Sequence, residues 1–70
     1  MIKLIGTDGE RYYSWVIEPG THVLGRLYEN EFAVPDKTVS RRNAEIELAG
    51  SGRECYIRDL GSHNGTTVNG

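Results

Sequence analysis

Turn-forming residues divide this 70-residue chain into short segments, with nine glycines and two prolines spread along it. The segments between them are rich in Val, Ile, Thr, Tyr, Phe and Trp, the residue types that favour β-strands. This pattern predicts several short strands joined by turns. A chain of 70 residues forms one small domain at most, burying only about 60% of the surface that its unfolded form exposes. We therefore expect one domain over residues 1–70, with no linker and no second domain.

Before the C-terminal stretch, five segments are predicted as strands. The clearest is Asn43–Ala49, in which the apolar residues Ala44, Ile46 and Leu48 alternate with charged ones, as in a half-buried antiparallel strand. A helix over Val39–Leu48 is the competing interpretation, but the spacing of Ile46 and Leu48 suits a strand better. The predicted strands are Met1–Ile5, Tyr12–Ile17, Thr21–Leu24, Asn43–Ala49 and Glu54–Arg58.

Short turn sequences separate the predicted strands, at residues 6–9, 18–20 and 50–52. The middle one, Glu18-Pro19-Gly20, predicts a hairpin that joins Tyr12–Ile17 to Thr21–Leu24, because proline and glycine both favour turn conformations. Strands of this length and spacing are typical of an all-β protein. We expect an antiparallel β-sandwich.

The C-terminal stretch contains the Asn-Gly dipeptide twice, at Asn64-Gly65 and Asn69-Gly70. Asn-Gly is the strongest short-range signal for a two-residue hairpin, because both central residues adopt positive φ. The first pair predicts a strand over Thr66–Val68, and the second predicts a return strand that the 70 residues do not contain. Thr66–Val68 is therefore expected to be an unpaired edge that can pair with another chain.

Charge and hydropathy narrow the class of protein. Eight Lys and Arg residues against ten Asp and Glu residues give a net charge of −2, which disfavours a general nucleic-acid-binding protein. No apolar run approaches the ~20 residues of a membrane-spanning helix, and the apolar start of the chain breaks at Gly6, too early for a signal peptide. The single cysteine, Cys55, agrees with a reducing compartment. We expect a cytoplasmic protein that binds neither membrane nor nucleic acid.

The residues that could support catalysis or metal binding are poorly arranged for either. Asp59, Ser62 and His63 are too close along the chain for the convergent geometry of a nucleophile, a base and an orienting group. His22, Cys55 and His63 lack the paired spacings of a zinc site. No phosphate-binding loop or dinucleotide-binding motif is present. We expect no enzymatic activity, no metal and no cofactor.

Polar residues concentrate in the predicted loops, where a rigid sandwich commonly carries its binding residues. Between positions 36 and 43, Lys37, Arg41 and Arg42 oppose only Asp36 and form a local positive patch in an acidic chain. Arginine suits a phosphate because its planar fork of N–H donors meets two oxygens at once. The polar clusters are Gly25-Arg26, Ser40-Arg41-Arg42 and the stretch Gly61-Ser62-His63-Asn64-Gly65-Thr66.

In their order and spacing these clusters resemble a forkhead-associated (FHA) domain, a family of β-sandwich modules that bind phosphothreonine peptides. The resemblance runs from Thr21 to Gly70, and its last block is the most specific. The matching blocks are Leu24-Gly25-Arg26, Ser40-Arg41-Arg42-Asn43-Ala44-Glu45-Ile46 and Ile57–Gly70.

The resemblance implies roles for individual residues. Arg26 would contact the phosphate, Ser40 would donate a hydroxyl hydrogen bond to it, and Arg41 would add charge and a backbone N–H. Asn64 would hold the peptide main chain beside the phosphothreonine, and His63 would face the residues that follow it. The residues expected to shape these loops are Gly25, Asn43, Ser62, Gly65 and Thr66.

The chain departs from the family pattern at two places. The family usually has a histidine three residues after the serine, where it buttresses the binding loops, and this chain has Asn43, whose amide can both donate and accept. The family also continues past the Asn-Gly turn through further strands. The resemblance therefore implies a domain that lacks its last strands, either as a fragment or as a protein whose second copy supplies the edge in a strand-swapped homodimer.

The sequence is consistent with two candidate functions. The first is a phosphothreonine-dependent docking module in signalling, in which the loop arginines and Ser40 hold the phosphate of a partner protein or peptide. The second is a structural or assembly domain that uses its open sheet edge for phosphate-independent contact, including self-association.

Overall fold

The structure is a computed structural model that describes residues 2–68. Within that range the regular elements are six β-strands, and no helix is long and apolar enough to cross a membrane. The strands are β1 (Ile2–Thr7), β2 (Tyr12–Ile17), β3 (Gly20–Gly25), β4 (Phe32–Ala33), β5 (Ala44–Leu48) and β6 (Cys55–Asp59).

The strands form a two-stranded sheet, β1-β2, and a four-stranded sheet in the order β4-β3-β5-β6. The all-β prediction is confirmed, and β5 has the predicted alternation, with Ala44, Ile46 and Leu48 buried. One strand pair differs from the antiparallel expectation, because β4 runs parallel to β3 with Leu24 opposite Phe32. β4 has no signal in the sequence, since a two-residue strand carries no periodicity.

The predicted hairpin between Tyr12–Ile17 and Thr21–Leu24 is wrong. β2 pairs with β1 and β3 pairs with β5, so residues 18–19 carry the chain from one sheet to the other. Pro19 has no N–H to donate to a strand ladder, and Gly20 follows it with a φ of 121°. The turn residues are therefore where the sequence indicated, but they connect two sheets and not two neighbouring strands.

Two further predictions differ from the structure, one on the end of β1 and one on the C-terminal stretch. Gly6 and Thr7 belong to β1, where Thr7 pairs with Tyr12, so the turn begins at Asp8. Thr66–Val68 is not a strand, because its residues have no partner strand among residues 2–68 and Thr66 is engaged by loop contacts instead. The Asn69-Gly70 turn and the first residue of the predicted strand Met1–Ile5 lie outside the described residues.

The core lies between the two sheets and is built from Ile17, Phe32, Ile46 and Leu48. Phe32 is 2% exposed, and its ring centroid lies 5.1 Å from that of Trp15 on the opposite sheet. Burying an apolar side chain of this kind stabilises a fold by about 1.5–3 kcal/mol. The packing fixes β3 and β5, whose ends carry the loops described next.

Strand direction brings three loops to one end of the four-stranded sheet. β3 and β5 are antiparallel with Leu24 opposite Ala44, and β5 and β6 are antiparallel with Ala44 opposite Asp59. The end of β3, the start of β5 and the end of β6 therefore meet. The loops that follow β3, precede β5 and follow β6 contain the polar clusters singled out in the sequence.

Candidate functional site

The three loops surround one surface depression of about 340 Å³. It contains all five residues that the sequence analysis assigned to peptide binding, together with three residues that it did not assign. The lining residues are Arg26, Lys37, Thr38, Val39, Ser40, Arg41, His63 and Asn64.

Main-chain hydrogen bonds tie these loops together beyond the ends of the strands. The N–H of Arg26 donates to the carbonyl of Ser40 at 3.0 Å, and the N–H of Asn43 donates to the carbonyl of Leu24 at 2.9 Å. On the other side of β5, the N–H of Leu60 donates to the carbonyl of Asn43 at 3.0 Å. The loop backbone thus continues the sheet, which fixes the positions of the side chains that it carries.

Gly25 is required by the close approach of the β3 and Ser40 loops. A Cβ at this position would collide with the main-chain carbonyl of Arg41 and lie 2.6 Å from Nδ2 of Asn30. Asn30 is 6% exposed, and its Nδ2 donates to the Arg41 carbonyl at 2.6 Å. Asn30 therefore anchors the Ser40 loop, a role that a single asparagine in a polar stretch did not reveal in the sequence.

Asn43 links the Ser40 loop to the loop after β6. Its Oδ1 accepts the N–H of Ser40 at 3.0 Å, and its Nδ2 donates to Oγ1 of Thr66 at 3.0 Å. A side-chain amide can make both bonds because it carries a donor and an acceptor. Asn43 and Thr66 both lie where the loop-shaping role was expected.

Asp59 organises the loop after β6. Its carboxylate accepts hydrogen bonds from the hydroxyls of Ser62 at 2.5 Å and Thr66 at 2.7 Å, and from the N–H groups of Ser62 and Gly61. These bonds, led by the Ser62 hydroxyl, lower the pKa of Asp59 to about 2. The Asp-x-Gly-Ser pattern is an Asx-type turn signal, and it could have identified Asp59 as a loop-shaping residue.

The tip of the same loop meets the Ser40 and Thr38 region directly. The N–H of His63 donates to Oγ of Ser40 at 2.9 Å, so the Ser40 hydroxyl hydrogen is left to donate elsewhere. Nδ2 of Asn64 donates to the Thr38 carbonyl at 2.8 Å, while Gly65 adopts a φ of 83°. A left-handed φ at Gly65 strains any other residue, which accounts for glycine there.

The depression is cationic although the chain as a whole is acidic. Arg26, Lys37 and Arg41 line it, and none of the carboxylates within residues 2–68 does. Arg42 is not part of this group, because it lines a different depression with Glu29 and Glu31. Guanidinium, ammonium and hydroxyl groups that converge on one concave surface form a site for an oxyanion such as a phosphate.

The fold and the site together define a β-sandwich domain with a cationic face built from loops. The family model described as FHA domain matches residues 22–70. The chain belongs to the FHA domain family, as its sequence motifs predicted.

Individual relatives agree with this assignment. The chain is 39% identical over 56 residues to the FHA domain-containing protein FhaA of Mycobacterium tuberculosis, covering 80% of this chain and 10% of that protein. It is 36% identical over 69 residues to the glycogen accumulation regulator GarA of Mycolicibacterium smegmatis, covering 99% of this chain and 40% of that protein. This chain thus spans less than half of either relative.

Two solved structures share the fold. One, described as an analysis of phosphothreonine-dependent FHA domain interactions, has a TM-score of 0.74 and 36% identity, with 96% of this chain and 66% of that chain covered. The other is the FHA domain of the CT664 protein from Chlamydia trachomatis, with a TM-score of 0.74 and 24% identity, covering 87% of this chain and 61% of that one.

Proposed function

We propose that this chain is a docking module that binds phosphothreonine-containing proteins or peptides and catalyses no reaction. The observation that carries the proposal is the convergence of Arg26, Ser40, Arg41 and Asn64 on one depression that no carboxylate of the described part of the chain lines. A structure similar to this chain is described in terms of phosphothreonine-dependent interactions. Because phosphothreonine is made by protein kinases, the proposal places the module in intracellular signalling, and the lone exposed Cys55 is compatible with the reducing cytoplasm.

The phosphate would be held by charge-assisted hydrogen bonds. Arg26 and Arg41 provide guanidinium groups, and Ser40 provides the hydroxyl hydrogen that its bond to His63 leaves available. Each such bond contributes about 1.5–3 kcal/mol. A few of them are enough for reversible binding near 1 μM, which corresponds to about −8 kcal/mol.

Asn64 is placed to hold the peptide main chain. Its Nδ2 is bonded to the Thr38 carbonyl, which fixes the amide plane at the rim of the depression. Its Oδ1 then accepts a peptide N–H beside the phosphorylated residue. His63, exposed at the same rim, faces the residues that follow the phosphothreonine.

Val39 gives the site a means of preferring phosphothreonine over phosphoserine. It is the aliphatic side chain among the residues that line the depression. Packing the extra methyl group of threonine against it is worth roughly 1–3 kcal/mol, or 10- to 200-fold in affinity.

Calorimetric titration with three peptides of one sequence tests the proposal. The peptides carry phosphothreonine, phosphoserine or unmodified threonine at the same position. We expect the tightest binding for phosphothreonine, weaker binding for phosphoserine and none for the unmodified peptide. Equal affinity for all three would refute the proposal.

A second candidate function is phosphate-independent assembly through the sheet edge. β6 pairs with β5 on one side, has no strand partner on the other within residues 2–68, and is exposed along its whole length. An exposed edge with free main-chain groups can pair with another chain. Sedimentation over a range of protein concentrations distinguishes the candidates, because assembly through β6 predicts self-association that phosphopeptide does not alter.

A further inference from the structure

Asn64 and Gly65, at the tip of the loop after β6, combine a reactive sequence with open surroundings. Both residues are exposed, and a Cβ at Gly65 would meet nothing within 4 Å. The Gly65 N–H donates no hydrogen bond to an acceptor within residues 2–68. The main-chain nitrogen that directly follows the Asn64 side chain is therefore neither covered nor held by a hydrogen bond in this part of the chain.

This arrangement allows an intramolecular reaction whose only co-reactant is water. The Gly65 nitrogen attacks Cγ of Asn64 and forms a new C–N bond, while the bond from Cγ to Nδ2 breaks and ammonia leaves with the proton from Gly65. The product is a cyclic imide, a succinimide. Water then opens the ring at either carbonyl, which leaves aspartate or isoaspartate. Glycine in the second position favours the attack, because it has no Cβ to hinder the approach.

The other asparagines within residues 2–68 are less able to react in this way. Asn30 is only 6% exposed. Asn43 has both ends of its amide engaged in hydrogen bonds, and it precedes Ala44, whose main chain is fixed in β5 between two neighbouring strands. Neither has the freedom to close the ring, so Asn64 is the described asparagine most open to the reaction.

We infer that Asn64 is a site of spontaneous deamidation and that the reaction weakens phosphopeptide binding. The consequence for binding rests on the proposed function. Nδ2 of Asn64 donates to the Thr38 carbonyl, and a carboxylate has no hydrogen to donate there. The product also places a negative charge in the depression lined by Arg26 and Arg41, where it repels the phosphate of the peptide. Deamidation thus removes a link between two loops and lowers the positive charge of the site.

Timed incubation in mildly alkaline buffer, followed by peptide mapping with mass spectrometry, tests the modification. The wild type is compared with Asn69→Ser, which removes the second Asn-Gly dipeptide and leaves three asparagines in a chain without glutamine. We expect Asn64 to deamidate well ahead of Asn30 and Asn43 in both chains, with isoaspartate among the products. Deamidation of Asn64 no faster than that of Asn43 would overturn the inference.

Fluorescence anisotropy with a phosphothreonine peptide tests the consequence for binding. The fraction of Asn69→Ser that binds should fall as Asn64 deamidates. Asn64→Asp should bind roughly ten- to a hundredfold less tightly than the wild type, because it loses a hydrogen bond and gains a like charge. Ser51→Asp is the matched control, since it adds the same charge in the β5–β6 turn outside the depression, and it should stay within about twofold of the wild type.

The outcomes separate this inference from the proposed function. Full binding by chains deamidated at Asn64, or by Asn64→Asp, would overturn the inferred effect and leave the proposed function intact. A fresh chain that ignores the phosphate would overturn the proposed function and with it the effect on binding. The deamidation of Asn64 itself is decided by the peptide mapping in either case.

Discussion

Nδ2 of Asn43 donates a hydrogen bond to Oγ1 of Thr66 at 3.0 Å, across 23 residues of chain. The same amide accepts the N–H of Ser40 through its oxygen. Asn43 thus joins the loops that carry Ser40 and Asn64, which the proposed binding mode requires to be aligned. The resemblance to the family leads to the expectation of a histidine at this place, and here an amide makes the connection.

Asn43→Ala should weaken both the fold and the site. It removes two side-chain hydrogen bonds, each worth about 0.5–1.5 kcal/mol, so the free energy of unfolding should fall by about 1–3 kcal/mol. Urea denaturation measures this change, and anisotropy measures the accompanying loss of phosphopeptide affinity. Thr67→Ala is the control, because Thr67 is exposed next to Thr66 but outside this network. Equal affinity in Asn43→Ala and the wild type would show that the connection is dispensable for binding.

Gly25→Ala should destabilise the fold more than the addition of one methyl group usually does. The new methyl group meets the Arg41 carbonyl and the Asn30 amide, so the Ser40 loop must move away from β3. Overpacking of this kind costs roughly 1–3 kcal/mol of unfolding free energy, and the displaced loop should also bind phosphopeptide less tightly. Gly50→Ala serves as the control, since a Cβ at Gly50 meets nothing within 4 Å and its φ is not left-handed. Similar thermal stability in the two variants would contradict the packing described for Gly25.

The fall in unfolding free energy at acid pH should depend on Asp59. Its pKa is lowered to about 2 from 3.8 by the Ser62 and Thr66 hydroxyls and the loop N–H groups. A carboxyl group whose pKa is lowered by folding contributes its full stabilisation at pH values above its unfolded-state pKa. That contribution is lost as the pH falls through the folded-state pKa. The difference in unfolding free energy between wild type and Asp59→Asn should therefore narrow as the pH falls from about 4 towards 2.

Asp8→Asn provides the comparison for Asp59. Asp8 also has a pKa lowered to about 2, chiefly by the main-chain N–H of Arg11, but it lies in the β1–β2 turn far along the chain from the binding loops. In both variants the unfolding free energy should depend less on pH below about 4 than it does in the wild type. Only Asp59→Asn should lower phosphopeptide affinity at neutral pH. If the unfolding free energy of Asp59→Asn depended on acid pH as that of the wild type does, the Asp59 carboxylate would not make the hydrogen bonds to Ser62 and Thr66.

The fall in unfolding free energy at alkaline pH should depend on His22, a buried imidazole between two acceptors. Nδ1 lies 2.7 Å from a carboxylate oxygen of Glu31, and Nε2 lies 2.6 Å from the main-chain carbonyl of Glu18. Both neighbours favour the doubly protonated ring, so the pKa of His22 is raised above 6.5, with the Glu31 contact as the larger cause. This contribution to stability is complete below 6.5 and is lost as the pH rises through the folded-state pKa.

Glu31→Gln should therefore reduce the fall in unfolding free energy as the pH is raised from about 6 to 9. Glu29→Gln is the matched control, because Glu29 lines the same depression without contacting the His22 ring. Chemical denaturation at several pH values measures the effect. The same pH dependence in both variants would contradict the His22–Glu31 pairing.

Local patterns in the sequence were enough to predict most of the strands, and the resemblance to a family supplied the residues expected at the site. The alternation of Ala44, Ile46 and Leu48 identified β5 because one face of that strand is buried and the other is not. The motif blocks around Arg26, Ser40 and Asn64 placed three loops at one site. These features depend on residues near one another in sequence, or on a spacing already known from a family.

Features that depend on pairing between distant segments were not predictable in this way. Glu18-Pro19-Gly20 indicates a turn but not which sheet the chain enters next, and β4 is too short to show a pattern. Asn30 escaped notice because its importance arises only when the Arg41 carbonyl comes within 2.6 Å of its amide. Thr38 and Val39 join the site at the bond between Asn64 and the Thr38 carbonyl, which links residues 26 positions apart.

The central claim is that Arg26 holds a phosphate in the depression between these loops, and the affinity of Arg26→Ala for a phosphothreonine peptide tests it most directly. Arg42→Ala is measured in parallel as a cation removed from outside the depression. We predict that Arg26→Ala loses roughly ten- to a hundredfold in affinity, as expected for a charge-assisted bond of about 1.5–3 kcal/mol, while Arg42→Ala stays within about twofold of the wild type. Equal losses in the two variants, or none in either, would contradict the account.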